Sequence, residues 1–265
     1  MTIKDFVLSK GNTTMNVIQF GSGPKHLMMI PGLGDGLTTV KGLALPFAWM
    51  YRIYCKDYTV TCVSRLNQMP EDYSTQQMAD DIVWAMDQLN IDKADIYGVS
   101  MGGMLAQHIA LNHPSRINKL VLSVTSARCN TQIKTCIERW LDMVKRNQNM
   151  ELMKDNVISM YTEAYCRKNL WMVNITGHIK PKSYDRFITM SKAILKHDTL
   201  DQLHEIKCPV LIIAGGLDQV VTPEASYQIK EVIPHAELLV YSQYGHAVYD
   251  EAKDYDAKIL EFLNK

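Results

Sequence analysis

The stretch that decides the fold is ADIYGVSMGGMLAQHIA, residues 94–110. Ile96, Tyr97 and Val99 read as a strand, and Met104, Leu105, Ala106 and His108 as a helix. Ser100 stands between them, with Gly98 two residues before, Gly102 two after and Gly103 next. A Gly-x-Ser-x-Gly pattern arises by chance in roughly one chain in ten of this length, so context has to decide its meaning. A serine that merely caps a helix needs neither glycine. A serine held in a strained turn from strand to helix needs both, because side chains at those positions would collide across so tight a bend. A strand before, a helix after and glycine on both sides favour the strained turn, a nucleophile elbow.

A lone serine hydroxyl is a poor nucleophile at neutral pH; it needs a base within hydrogen-bond reach and a carboxylate to orient that base. In an open parallel sheet such groups gather beyond the carboxyl ends of the strands. Two residues meet that condition. Asp218 follows the apolar run CPVLIIA in the loop GGLDQVV, and His246 follows AELLVYS in the loop QYGHAVYD. The chain order Ser100, Asp218, His246 is the order this elbow requires. A loop Asp or a loop His taken alone is more often a turn residue; it is their joint placement that argues for catalysis. His108 and His113 fall on or just after the elbow helix, His178, His197 and His204 in or beside a helical insertion, and His26 and His235 at strand starts, the wrong end of the sheet. The loop after KLVLSVT reads SARCN and offers no rival carboxylate.

Around these residues, strand-like and helix-like runs alternate, the pattern of a parallel sheet covered on both faces. IKDFVLS and TMNVIQF form an opening strand pair turned through Lys10-Gly11-Asn12. HLMMI, YTVTCVS, ADIYGV and KLVLSVT follow as strands, separated by helices around 43–54, from Ser74 and over 101–112. Ser74 caps its helix, and Met78, Ile82, Ala85, Met86 and Leu89 share one face. After Ser126 the strand signal stops for about 75 residues. Ile133, Ile137, Trp140, Leu141 and Val144 make one helical face; Met153, Val157, Met160, Tyr161 and Ala164 a second; Phe187, Met190, Ile194 and Leu195 a third. We read 127–200 as a helical cap inserted into a core made of 1–126 and 201–265. Alternation then resumes, with a helix capped by Thr222 and opened by Pro223, and a closing helix over 248–263.

The loop after HLMMI reads PGLGDG, residues 31–36. A dinucleotide fingerprint would want its third glycine at Leu37, and YTVTCVS ends in Ser64 rather than an acid. A loop that brings a backbone N–H close to a substrate accounts for the glycines better. Leu33 is its expected donor, and Met101, next to the nucleophile at the positive end of its helix, is the other half of an oxyanion hole.

Composition narrows the class further. The chain has 265 residues, 47% hydrophobic, with 28 basic and 28 acidic side chains and no net charge. It carries no footprint for nucleic acid or a membrane surface. The start MTIKDFVLSKGNTTM lacks a signal layout, and no apolar run approaches the roughly 20 residues needed to span a bilayer, so the expectation is a cytoplasmic protein. Six cysteines show no C-x-x-C pair and no zinc spacing, which reads as buried structural thiols rather than metal ligands.

From PGLGDG through GVSMGG and GGLD to YGHAVYDE, the sequence resembles the α/β-hydrolase superfamily, and within it small bacterial carboxylesterases and 3-oxoadipate enol-lactonase-like hydrolases. Two departures stand out: Pro31 sits where relatives often have a histidine, and SRLNQMPEDYS replaces a glycine-containing turn, leaving Arg65 without its glycines. The resemblance implies a mostly parallel, eight-stranded α/β sheet with helices on both faces and a helical cap. It also implies a Ser100–His246–Asp218 triad cleaving a small ester or lactone without cofactor or metal. A thioesterase or a carbon–carbon bond hydrolase would use the same residues, and a hydrolase-like receptor with little turnover would keep the same scaffold.

Overall fold

The computed structural model describes residues 2–178 and 180–265. Strands β1 (Thr2–Lys10), β2 (Thr13–Gly21), β3 (Lys25–Ile30), β4 (Tyr58–Val63), β5 (Ala94–Val99), β6 (Ile117–Ser123), β7 (Val210–Gly215) and β8 (Glu237–Tyr241) form one sheet in the order β1-β2-β4-β3-β5-β6-β7-β8. The β1–β2 and β2–β4 pairs are antiparallel and the rest are parallel. Gly11 turns the opening hairpin with φ +56°, a conformation that glycine adopts without steric cost.

The continuous apolar runs have a direct cause. Met28, Ile30, Ile96, Leu120, Leu122, Val210 and Ile212 enter the core on one face, while their neighbours Leu27, Met29, Tyr97, Val121, Leu211 and Ile213 enter the core on the other. Side chains alternate across a strand, so a strand buried on both faces has no polar side. Helices α2 (Thr75–Gln88), α3 (Met101–Asn112) and α9 (Pro223–Val232) cover the first face with Met78, Ile82, Leu105, Ile109 and Ile229. Helices α1 (Ala44–Met50) and α11 (Tyr255–Asn264) cover the second with Ala48, Tyr255, Ile259 and Phe262.

Between β6 and β7 run α4 (Thr131–Lys145), α5 (Asn149–Met160), α6 (Glu163–Asn169), α7 (Val173–Thr176) and α8 (Asp185–Leu195). The chain entering and leaving this helical stretch is pinned together: Arg128 bridges Asp198, the Cys129 N–H donates to the His197 carbonyl at 3.1 Å, and the Thr199 N–H donates to the Ala127 carbonyl at 2.7 Å. Of the three helical faces read from sequence, the first and third are buried at Ile133, Ile137, Trp140, Val144, Phe187, Met190 and Ile194. The second is not one face. Helix α5 ends at Met160, Tyr161 is extended at ψ 161°, and Ala164 belongs to α6; Leu152 is the apolar side chain that α5 buries.

Smaller departures have local causes. The helix around 43–54 stops at Met50 and continues as a 3-10 turn over Arg52–Tyr54. The closing helix is two, α10 (Val248–Glu251) and α11, because Ala252 is extended. The break lets α10 sit beside the loop of His246 while Tyr255 enters the core beneath the sheet. Thr222 stands at the N-cap position of α9 without a side-chain cap bond and with φ +69°, leaving Pro223 as the start signal that holds. No helix among the described residues is long and apolar enough to cross a membrane.

Candidate active site

Strand β5 is buried through Gly98, ends at the half-buried Val99 and turns at Ser100, whose φ of +54° and ψ of −121° lie outside the ordinary regions for a residue with a side chain. Such a conformation costs about 1–3 kcal/mol and persists only where neighbours over-determine it. Here the Ser100 N–H donates to the Ser123 carbonyl at 2.9 Å. The Ser100 carbonyl accepts from Thr125 Oγ1 at 2.7 Å and from the Gly103 N–H at 2.8 Å.

The flanking glycines answer to different neighbours. A Cβ on Gly98 would lie 2.4 Å from the Gly102 carbonyl oxygen, the expected collision across the bend. A Cβ on Gly102 would lie 1.9 Å from the Ile30 carbonyl oxygen, so the second glycine makes room for the adjacent strand β3.

Asp218 lies three residues beyond β7 and His246 five beyond β8. They meet: His246 Nδ1 and Asp218 Oδ2 are 2.7 Å apart, and both residues are buried. The other oxygen, Asp218 Oδ1, accepts from the Val220 and Val221 N–H groups at 2.8 and 2.9 Å. A carboxylate held at both oxygens fixes the ring, and Nδ1 as donor leaves Nε2 with its lone pair free to accept a proton. The His246 loop is also tied to the helical stretch, since the Ala247 N–H donates to the Met160 carbonyl at 2.8 Å.

Ser100 and His246 line one cavity of about 270 Å³, together with Leu33 and Met101. No hydrogen bond joins Ser100 Oγ to His246 among the described contacts; the two share a wall. Catalytic hydrogen bonds commonly tighten only when substrate is bound. Leu33 opens a 3-10 turn, Leu33–Gly36, and Met101 opens α3. N–H groups in a first turn have no acceptor within their own helix, so both are available to an incoming oxyanion. The loop lies close over the serine: a Cβ on Gly32 would stand 3.3 Å from Ser100 Cβ and 3.9 Å from Ser100 Oγ.

The rest of the wall is mainly apolar, including Met104, Ile133, Ile137, Trp140, Met160 and Phe187. Trp140 and Phe187 are the aromatic side chains that the helical stretch contributes to it. Trp171 is 60% exposed, and Tyr161 stacks on Tyr165 while donating to Asp250 at 2.6 Å. All six cysteines are free, and burial pushes the Cys136 thiol up to about 12 and the Cys208 thiol to about 11. Among the described residues no cluster of three or more His, Cys, Asp or Glu side chains could hold a metal ion.

One feature of the site was not foreseen from sequence. Asp35 is buried on the cavity wall, bracketed by the fully buried Arg65 and by Arg186 of α8. Burial pulls the Arg65 guanidinium below its ordinary range, against the opposing effect of Asp35. An acid inside a glycine loop and a lone arginine after β4 were the available hints; the third member lies more than a hundred residues away.

A family model for the alpha/beta hydrolase fold matches residues 25–253. A protein of Caulobacter sp. assigned as the carbamate hydrolase RutD is 28% identical over 203 residues, 74% of this chain and 75% of that one. The 3-oxoadipate enol-lactonase 2 of Acinetobacter baylyi is 24% identical over 88% of this chain and 86% of its own. The crystal structure of the enol-lactonase from Burkholderia xenovorans superposes with a TM-score of 0.82 at 19% identity, covering 98% of this chain and 100% of that one, a likeness of fold.

Proposed function

Since this chain belongs to the α/β-hydrolase fold family and is a hydrolase, we propose that it cleaves a small ester or lactone through an acyl-enzyme on Ser100. The observation that carries this reading is the Asp218–His246 hydrogen bond of 2.7 Å, opening on the same cavity as the strained Ser100. His246 Nε2 takes the Ser100 proton as Oγ attacks the carbonyl carbon. The Leu33 and Met101 N–H groups hold the tetrahedral oxyanion. His246 then hands its proton to the leaving alcohol, and water releases the acid by the same steps in reverse. Asp218 keeps the imidazole in the tautomer this requires.

Residues 127–200 form a cap over the core of 1–126 and 201–265. Trp140, Met160 and Phe187 reach from the cap into the cavity, which favours a small apolar acyl group or ring over a peptide. The six free thiols suit a reducing compartment, and we place the protein in the cytoplasm.

The test is turnover of p-nitrophenyl acetate and butyrate, followed by a panel that adds an enol-lactone, a carbamate and a thioester, the first two being the chemistries in the relatives' names. Ser100→Ala should lower kcat by at least about 10⁴-fold, and a fluorophosphonate should label Ser100. An adduct on another residue, or undiminished turnover in the variant, would overturn the assignment.

A further inference from the structure

The loop 31–36 carries the Leu33 N–H, and two arginines hold it. Arg65, buried beneath, donates from Nη2 to the Pro31 carbonyl, while its backbone N–H donates to Asp35 Oδ2 at 3.0 Å. Arg186 reaches in from α8, the last α-helix before β7. Its Nη1 donates to the Asp35 carbonyl at 2.5 Å, and its Nη2 to Asp35 Oδ2 at 2.8 Å and to the Arg65 carbonyl at 3.2 Å. Its Nε donates to the Leu66 carbonyl at 3.1 Å. Helix α8 can sit this low because residue 36 is glycine: a Cβ there would stand 2.8 Å from Phe187 Cα.

We propose that Arg186 is a positioning residue that acts through this loop, so that the oxyanion hole is complete only while α8 is seated on it. The inference rests on the triad and oxyanion hole proposed above. The Leu33 peptide lies between two anchored carbonyls, Pro31 and Asp35, each held by a different arginine. A peptide plane so bracketed keeps its N–H direction until one anchor releases. Arg186 holds one anchor, and its side-chain bonds run to residues 35, 65 and 66; of these Asp35 lines the cavity, while Arg186 itself does not. Donors aimed at an oxyanion act mainly on the transition state, so releasing the anchor should lower kcat and leave KM nearly unchanged. Charge alone will not substitute, because a lysine ammonium cannot span a carboxylate and three carbonyls as a guanidinium fork does.

The experiment compares wild type, Arg186→Lys and Arg186→Ala, with folding checked by thermal melts. The readouts are p-nitrophenyl acetate kinetics and affinity for a small trifluoromethyl ketone. With this ketone, Ser100 Oγ bonds to the carbonyl carbon, His246 takes the proton, and the resulting alkoxide occupies the oxyanion hole. In both variants we expect kcat to fall by about 100-fold, with KM within about threefold of wild type. Ketone affinity should fall by the same factor as kcat/KM, and added guanidinium should recover part of the kcat of Arg186→Ala. Full kcat in either folded variant would overturn the inference, as would a loss confined to KM with ketone affinity intact. If Arg186→Ala does not fold, Arg186→Lys decides. Wild-type turnover that Ser100→Ala abolishes is established first. Its absence would remove the proposed hydrolase and this inference together, whereas its presence beside unaffected Arg186 variants would remove this inference alone.

Discussion

At the scale of single residues, the elbow is defined by what cannot be placed there. Gly102 is confined by a backbone oxygen of the neighbouring strand, an atom that cannot swing aside. We expect Gly102→Ala to destabilise the protein by about 3 kcal/mol or more, read as a lower urea midpoint, because the sheet itself must shift. Asp218 is a different case, since the role proposed for it is electronic and orientational rather than steric. Asp218→Asn should leave the fold intact, as the amide oxygen can still accept from the Val220 and Val221 N–H groups. Its kcat should nonetheless fall by about 10⁴-fold in steady-state assays, because the side-chain amide holds the wrong imidazole tautomer.

At the scale of elements, local signals and tertiary ones separate cleanly. The start of α2 is local. Ser74 Oγ accepts from the Gln77 N–H at 3.2 Å while Gln77 Oε1 accepts from the Ser74 N–H at 2.9 Å, a reciprocal cap written in four consecutive residues. Ser74→Ala should cost about 1 kcal/mol and lower Tm by about 2–4 °C.

The chain that leaves α8 is held by contacts the sequence does not announce. His197 Nδ1 meets Thr75 Oγ1 at 3.0 Å, the same hydroxyl meets His108 Nε2 at 3.1 Å, and Thr199 Oγ1 donates to Gln107. This network ties the end of the helical stretch to α2 and α3. Burial pulls the His197 imidazole down to about 3, with His108 adding to the effect and Asp198 opposing it. A folded-state value below the ordinary 6.5 means that the unfolded chain takes up the proton first. Stability should therefore fall as pH drops from about 6.5 towards 3, by a few kcal/mol for this group, and level off below. His197→Gln should flatten that part of the curve of urea midpoint against pH.

At the scale of the whole molecule, the strand order carries the carboxyl ends of β3, β5, β7 and β8 to one rim, which is where residues 33, 100, 218 and 246 belong. The cavity lined by Leu33, Ser100 and His246 is small, about 270 Å³. We expect kcat/KM to fall at least about tenfold between p-nitrophenyl butyrate and laurate, since a long acyl chain cannot be housed with its carbonyl at Ser100. Equal rates across the series would mean that the helical stretch opens far more than this structure shows.

The sequence by itself determined the sheet and most of its covering helices, because burial on both faces writes an unbroken apolar run and helical burial writes a 3.6-residue period. It also carried the elbow, since the glycines around Ser100 respond to backbone crowding within a few residues of the chain and along its neighbouring strand. The pairing of Asp218 with His246 was legible as positions after successive strands, while its geometry belongs to the folded molecule. The break at Tyr161, the extended Ala252 and the Arg65–Asp35–Arg186 clamp were decided by tertiary structure alone. Each depends on which distant surface a segment meets, and a buried guanidinium finds its partners through space, leaving no period or spacing along the chain to read.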